Sequence, residues 1–496
     1  MTTARALVLA GAVALLGTAQ AQTVLVRPQI DARLSYKDGS GRDGNGGDFI
    51  AEVSPGISIL RESGRFNGSL NARLRNVAHF SESDRNDTFL SLHGRGEIEA
   101  VERMLFVDMD AAVTRNNRSQ LSGRLVGDPF DTENANETRT FGVGPRLHFT
   151  LGAETRGMLS YMSRWMTGSG GLGRRREGDG HAQLSNPVQF GRIGWGLDYR
   201  RSDNDYGDVS SNKAVSEENA RATLYATVTP QFRLRGIVGY ESNDYEESSG
   251  DKSTIVGGGF DWNPTERTTI SATTEKRIFG RGYDVQFSHR RSSSLWNLSL
   301  SRDISSSMQA QGFDVFSDPE FRGLYDALAQ VLPDPIQREA FVRFLLGYPP
   351  IGQRLGVLTN VHLVSRNFNG SVSLLGVRNV LTIVLQQSER SRLGSALATD
   401  ASDDFARFET VKTRSMTMTL SHRLSQHMTL NASVLRSRAE GSGGASAATE
   451  RSLFSVGVTR QFGPNTSGGL RFSHQRSDGE SDFSENVLMA NLGISF

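Results

Sequence analysis

Residues 487–496 read VLMANLGISF. Leu488, Ala490, Leu492, Ile494 and Phe496 fall on one phase of a period of two, with an aromatic ring at the end. Side chains of a strand alternate between its faces, so this is a strand with one continuous apolar face. The same period recurs upstream. Val285, Phe287 and His289 alternate with Asp284, Gln286 and Ser288; Trp296, Leu298 and Leu300 alternate with Asn297, Ser299 and Ser301. Leu381, Ile383 and Leu385, then Met416, Met418 and Leu420, then Phe454, Val456 and Val458 repeat the pattern against polar neighbours.

A soluble sandwich also alternates, so the connections decide. Short turns at 463–465, 424–426 and 376–378 alternate with long polar stretches at 478–485, 440–450 and 393–405. Further short turns fall at 263–266, 229–231, 152–153, 102–103 and 62–64, and further long loops near 37–47, 116–137, 166–178, 201–215 and 241–251. Short turns on one side and long loops on the other are the mark of a transmembrane antiparallel, up-and-down outer-membrane β-barrel. The expected fold is all-β over residues 22–496, with about 22 strands and bounds of roughly 18 to 24. Residues 178–190 are the stretch where a hairpin is easiest to miss. The final strand resembles the C-terminal strand recognised by the bacterial barrel-assembly machinery, which makes Leu488, Leu492, Ile494 and Phe496 the candidate assembly signal and that machinery a partner.

One segment breaks the period. Asp318-Pro319 and Asp334-Pro335 each place proline at the first turn of a helix, Phe321, Leu324 and Leu328 share a helical face, and Gly347 ends the second run. A short helical insertion is expected at 318–347, within an extracellular-side loop, as a plug, a lid, or a pair packed on the loops.

The N-terminal residues comprise a basic start to Arg5, an apolar run from Ala6 to Leu16 and a small-residue end, so residues 1–21 read as a signal peptide cleaved after Ala21. The apolar run is shorter than the roughly 20 residues that cross a bilayer. No later stretch is a membrane helix, and the mean hydropathy is −0.39. With 55 basic and 54 acidic residues, no global field points to nucleic acid. The chain has no cysteine, with 53 glycines against 13 prolines, a balance that suits many twisted strands.

No catalytic motif is present: no HExxH, GxSxG or Walker loop. Ser288-His289, Ser421-His422 and Ser473-His474 put the two side chains on opposite faces, so none is its own nucleophile and base. Gly257-Gly258-Gly259 sits inside a strand pattern and reads as close packing or a bend. No enzyme activity, cofactor or metal site is expected. Acidic clusters at Asp203, Asp205 and Asp208, at Asp244, Glu246 and Glu247, and at Asp478, Glu480 and Asp482 read as solvated loop charge, with a divalent cation as the alternative. Trp165 and Trp262 fall near strand ends and fit an interfacial girdle, whereas Trp195 and Trp296 lie deeper and face lipid.

Charges opposite the apolar phase carry more. Arg192, Asp198, Arg200, Glu275, Arg277, Asp284, Arg290, Asp303 and Arg471 are the candidate lumen-lining residues. An Arg or Lys facing lipid at mid-membrane costs about 2–4 kcal/mol. These side chains read either as the wall of a hydrated conduit or as ion pairs that merely fill it.

Residues 262–305 read WNPTERTTISATTEKRIFGRGYDVQFSHRRSSSLWNLSLSRDIS, and residues 48–59 read DFIAEVSPGISI. With the LLGVRN turn at 374–379, they resemble the outer-membrane barrel family associated with PEP-CTERM and exosortase systems. The matching positions are Trp262, Pro264, Arg267, Thr268, Arg277, Phe279, Gly280, Ser288, His289 and Arg290. The resemblance implies a Gram-negative outer-membrane protein serving exopolysaccharide export or surface assembly, and it brings no catalytic residues. The expected function is a non-enzymatic, porin-like conduit with a polar lumen; the alternative is an envelope-structural or surface-anchoring barrel with a blocked lumen. Expected partners are outer-membrane lipid and lipopolysaccharide, and exopolysaccharide with its export proteins.

Overall fold

Every backbone N–H and C=O within the hydrocarbon layer needs a partner, and a sheet meets that demand only by closing on itself. The computed structural model closes as a single antiparallel sheet of 22 strands. It describes residues 24–41, 46–81, 83–117, 119–121, 135–169, 173–205, 215–244, 251–305, 319–329, 335–346, 361–393, 403–480 and 482–496, with residues 332, 348 and 359. The signal peptide expected at 1–21 lies outside the described residues.

The wall starts with β1 (Val24–Gly41), β2 (Gly46–Ser63), β3 (Phe66–His79), β4 (Asp87–Val101), β5 (Leu105–Asn117) and β6 (Ala135–Leu151). It continues through β7 (Thr155–Gly168), β8 (Gly173–Phe190), β9 (Ile193–Asp205), β10 (Val215–Thr229), β11 (Phe232–Asn243) and β12 (Asp251–Thr265). Then come β13 (Thr268–Arg277), β14 (Gly280–Arg290), β15 (Ser294–Ser305), β16 (Leu363–Leu375) and β17 (Asn379–Arg392). The circuit ends with β18 (Phe408–Ser425), β19 (Met428–Gly444), β20 (Ala447–Gly463), β21 (Thr466–Asp478) and β22 (Phe483–Ser495). β22 pairs with β1 from Gln29↔Ser495 to Gly41↔Phe483, and the Phe496 N–H donates to Pro28 O at 2.9 Å, which closes the ring.

Two short helices, α1 (Pro319–Ala327) and α2 (Pro335–Leu346), lie in the β15–β16 connection, and a single turn, α3 (Asp404–Arg407), precedes β18. Among the described residues no helix is long and apolar enough to cross a membrane; the strands cross it.

The period of two sets the orientation of the wall. Leu470, Leu488, Leu492, Val434 and Met416 are among the large apolar side chains exposed on the outside, and the terminal Phe496 is 66% exposed. Trp165 stands toward the loop end of β7 and Trp262 toward the turn end of β12, both exposed, at opposite edges of the apolar band. Tight turns use glycine where the backbone demands it: Gly152 and Gly191 have φ of +69° and +73°. Gly257 and Gly259 are inward positions where a Cβ would lie 2.5 Å and 2.3 Å from backbone oxygens of β13, so close strand approach requires their absent side chains.

The loop side is shorter than the sequence suggests. The stretch expected as a loop at 440–450 is the end of the β19–β20 hairpin, which turns at Ala445-Ser446, and the 166–178 loop shrinks to 169–172. Polar residues above the membrane pair as strand as readily as apolar ones within it, because the ladder continues wherever its register does. Residues 178–190 belong to one strand, β8.

Candidate functional site: the lumen and its closures

Register and burial divide the lumen wall into two arcs. From β1 to β15 the inward positions are dense in opposite charges. Glu52 of β2 accepts from Arg33 of β1 at 2.8 Å and from Arg75 of β3 at 2.6 Å. Arg146 of β6 binds Asp108 at 2.8 Å and also Glu97. Arg200 reaches Asp179 at 2.7 Å, His181 meets Asp198 at 2.6 Å, and Arg233 and Arg235 hold Asp261 at 2.8 Å and 3.0 Å. Arg277, 6% exposed, binds Glu241 at 2.7 Å and Asp303 at 3.1 Å. These pairs cross from strand to strand, so each ties neighbouring ladders together inside the barrel.

The second arc, β16 to β21, is built differently. Inward positions carry Ser365, Asn367, Asn369, Ser371 and Ser373, then Thr382, Gln386 and Ser388, then Thr413, Ser415, Thr417, Thr419 and Ser421. Hydroxyls meet across the register, Ser373 with Thr382 at 3.1 Å and Ser433 with Ser455 at 2.7 Å. Arg390 and Arg471 also point inward here, on β17 and β21.

The helical insertion lies on this second arc. Phe321, Leu324 and Leu328 of the α1 run and Val342, Leu345 and Leu346 of α2 pack with Leu295 and Val384 in one buried cluster, flanked by Leu375 and Val380. Leu295 is the second residue of β15, Leu375 the last of β16 and Val380 the second of β17, so the helices sit at the short-turn end of the barrel. The loop that carries them leaves from the opposite end. The insertion therefore descends into the lumen as a plug, and Ser371, Ser373, Thr382, Thr419 and Ser421 are each at most 5% exposed in the wall there. Apolar spacing makes this possible: 321, 324 and 328, then 342, 345 and 346, line one face of each helix. Each fully buried Leu, Val or Phe contributes about 1.5–3 kcal/mol relative to exposure, offset by ordering the loop. Phe321 stacks on Tyr325 and Tyr348 at 6.0 Å and 6.1 Å, and Arg343 bridges to Glu339 one turn away at 2.8 Å.

A second contact across the lumen lies at the loop end. Residues 119–121, beyond β5, reach across to the far wall. Gln120 N–H donates to Asp404 Oδ2 at 2.7 Å and Ser119 Oγ to Asp404 Oδ1; Thr449 Oγ1 donates to Leu121 O at 2.8 Å and Arg451 to Gln120 O. Leu121 is fully buried among Val361, Leu363, Phe405, Phe408, Val411 and Ala439. Beside this latch Arg175 of β8 donates to Thr359 O at 2.8 Å. His362 is buried next to Arg175, and burial first, then that positive charge, pushes its pKa down to about 4. Burial pushes the Asp404 carboxyl up.

Of the sequence candidates, Asp198, Arg200, Arg277 and Asp303 line one polar cavity of about 470 Å³ formed by the β7–β10 wall together with Arg277 of β13 and the loop-side end of β15. Glu275 borders it through Arg221, at 3.2 Å, and Arg277, at 3.7 Å. Asp284 and Arg471 face inward on β14 and β21 but do not line that cavity, and Arg290 closes β14 at the short-turn rim. Arg192 stands in the exposed two-residue turn between β8 and β9, because β8 runs to Phe190 before the chain reverses; it is not part of the wall. Three consecutive arginines on β8 are split by the period: Arg174 and Arg176 face out, and Arg175 enters the lumen.

The three Ser-His dipeptides form no dyads. His289, His422 and His474 each bond a cross-strand partner, Thr268 at 2.8 Å, Asn379 at 2.5 Å and Asn486 at 2.9 Å. Among the described residues no cluster of three His, Asp or Glu is arranged to hold a metal ion. Of the acidic loop clusters, Asp208, Glu246 and Glu247 lie outside the described residues. The 119–121 latch was missed in the sequence; its partners are hundreds of residues away, and only register could have found them.

This closed, inwardly polar and outwardly apolar sheet defines a large outer-membrane β-barrel. It is similar to the FrpB iron transporter from Neisseria meningitidis (F5-1 variant), at 9% identity and TM-score 0.50 over 94% of this chain and 82% of that one. The siderophore receptor PirA from Pseudomonas aeruginosa aligns at 11% identity and TM-score 0.47, over 96% and 81%. A loop-deletion mutant of OmpT, an outer membrane protein of Vibrio cholerae, aligns at 9% and 0.34, over 96% and 100%. Identity this low carries the fold alone. No family model and no curated protein matches the chain.

Proposed function

We propose that the protein is a non-enzymatic outer-membrane conduit for a hydrophilic polymer, of the kind that exports or assembles an exopolysaccharide, held shut at rest by its own insertion. The supporting observation is the second arc: an inward wall mainly of hydroxyls and amides on β16 to β19, with arginines such as Arg390 and Arg471 as its inward charges, covered at its short-turn end by helices tethered in a single loop. Hydroxyl and amide side chains exchange hydrogen bonds with a sugar chain without the desolvation cost of charge. A plug seated on such a wall by apolar contact moves without breaking an ion pair. The resemblance to barrels of PEP-CTERM and exosortase systems points the same way, as does an N-terminal segment suited to export and cleavage after Ala21.

A second reading rests on the 119–121 latch, which crosses the lumen at the end opposite the plug and suits a barrel that anchors surface material and transports nothing. Deleting the gene in the polymer-producing host separates the two. A conduit leaves polymer trapped in the periplasm; an anchor leaves it secreted but shed from the cell. Normal surface polymer in the deletion strain contradicts both.

A further inference from the structure

The outer surface carries an asymmetry that the lumen does not explain. At the loop-side ends of β14, β15, β16, β18 and β19, the first charged outward positions are arginines: Arg281, Arg302, Arg366, Arg414 and Arg436, with Arg438 next on β19; on β17 that position is Glu389. Each follows closely on the apolar band. Arg302 lies two residues from Leu300, Arg366 two from Phe368, Arg414 two from Met416 and Arg436 two from Val434. Two residues of strand span about 7 Å, which places these guanidinium groups at headgroup depth. The corresponding ends of β1 to β3 present Tyr36, Phe49 and Phe80 instead, 39%, 51% and 71% exposed.

The arginines also face one another. Arg302 is the register partner of Arg366, and Arg414 that of Arg438. Like charges directly opposite on a sheet are destabilising. One member of each pair is already held, Arg302 by Arg281 O at 2.7 Å and Phe279 O at 3.3 Å, and Arg438 by Glu440 at 2.6 Å and Glu450 at 2.7 Å, so Arg366 and Arg414 are the members open to an added anion. The carboxylates nearby are engaged. Glu389, register partner of Arg366 and of Lys412, pairs with Lys412 at 3.3 Å; Glu450 holds Arg438 at 2.7 Å. Arg366 and Arg414 make no ion pair among the described residues, and Arg436 is 78% exposed, 3.6 Å from Glu450.

We propose that this belt binds the phosphate groups of an outer-leaflet glycolipid carrying two phosphates, seated on one side of the barrel. The apolar band below takes the acyl chains, and Arg366 and Arg414, with the exposed Arg436 beside them, take the phosphates by charge-assisted hydrogen bonds. Depth commits the site to a lipid: a ligand level with the headgroups and continuous with an apolar wall is held at both ends.

The test uses the full-length barrel, delipidated in nonionic detergent and probed by native mass spectrometry with bisphosphorylated and monophosphorylated lipid A. The bisphosphorylated form should bind about tenfold more tightly. Replacing Arg366→Gln, Arg414→Gln and Arg436→Gln together should weaken it on the order of a hundredfold. The equal charge change Arg139→Gln, Arg201→Gln and Lys252→Gln, also at the loop-side rim, should leave it nearly unchanged. Equal binding of the two lipids by the wild-type barrel, a readout that needs no variant, overturns the proposal. So does an equal loss in both triple variants, which makes the effect diffuse charge, or displacement of the lipid by excess inorganic phosphate, which makes the belt a site for free anions. Heat-shifted migration on gels confirms that each variant is a folded barrel.

Discussion

The arc from β1 to β15 and the arc from β16 to β21 share one hydrogen-bonded ladder and differ in what they turn inward. The first binds itself: Glu52 between Arg33 and Arg75, Arg146 between Asp108 and Glu97, Arg277 between Glu241 and Asp303. The second binds little beyond hydroxyl pairs and presents a surface on which two amphipathic helices rest. Charge pairs at fixed register stiffen a wall, whereas neutral polar groups leave it free to meet something else. The division places barrel stability on one side and the closure on the other.

The comparison breaks first, if it breaks, at the buried charges. Arg277→Met leaves the buried Glu241 without its cation, and uncompensated buried charge costs about 3–5 kcal/mol. Urea unfolding in liposomes should show that loss in the barrel transition itself. On the other arc, Leu345→Ala should cost roughly 3 kcal/mol, all of it in plug docking. Amide exchange in α2 should accelerate while the barrel transition stays where it was. A shifted barrel transition would mean that the plug is part of the barrel's folding unit.

Smaller effects sharpen the contrast. Thr382→Val removes one side of the Ser373–Thr382 pair beneath the plug and should cost about 1 kcal/mol. At the mouth, His362 is neutral when docked, with its pKa held at about 4 against an ordinary 6.5. The released imidazole binds a proton that the docked one refuses, so docking of His362 is fully present above pH 6.5 and weakens as pH falls toward 4. Asp404, raised by burial, moves the opposite way, its docked form favoured by acid. Exchange rates of residues 359, 361 and 362 measured against pH should therefore show an acid-side loosening that His362→Gln abolishes.

The fold was open to reading because the barrel writes itself locally. Alternation at 285–300 and 454–458, and the apolar phase of 488–496, needed no knowledge of which strand lies beside which. The helices at 319–327 and 335–346 were legible from Asp-Pro starts and apolar spacing; their place in the lumen was not, because it depends on Leu295, Val380 and Val384 sharing one face of distant strands. Inward charges followed from phase, but their partners did not. Arg277 finds Glu241 only through the β11–β12–β13 register, and Arg192 drops out because one turn falls two residues later than its phase assumes. The 119–121 latch left no local trace, since a long polar loop reads the same whether or not it crosses the mouth.

Single-channel conductance in planar bilayers tests the central claim most directly, comparing the full-length barrel with a version in which residues 319–346 are replaced by a flexible linker. A closed, self-plugged conduit predicts almost no current from the full-length protein and large, steady steps from the deletion. Large current in both would show that the helices do not close the lumen, and silence in both would contradict the conduit.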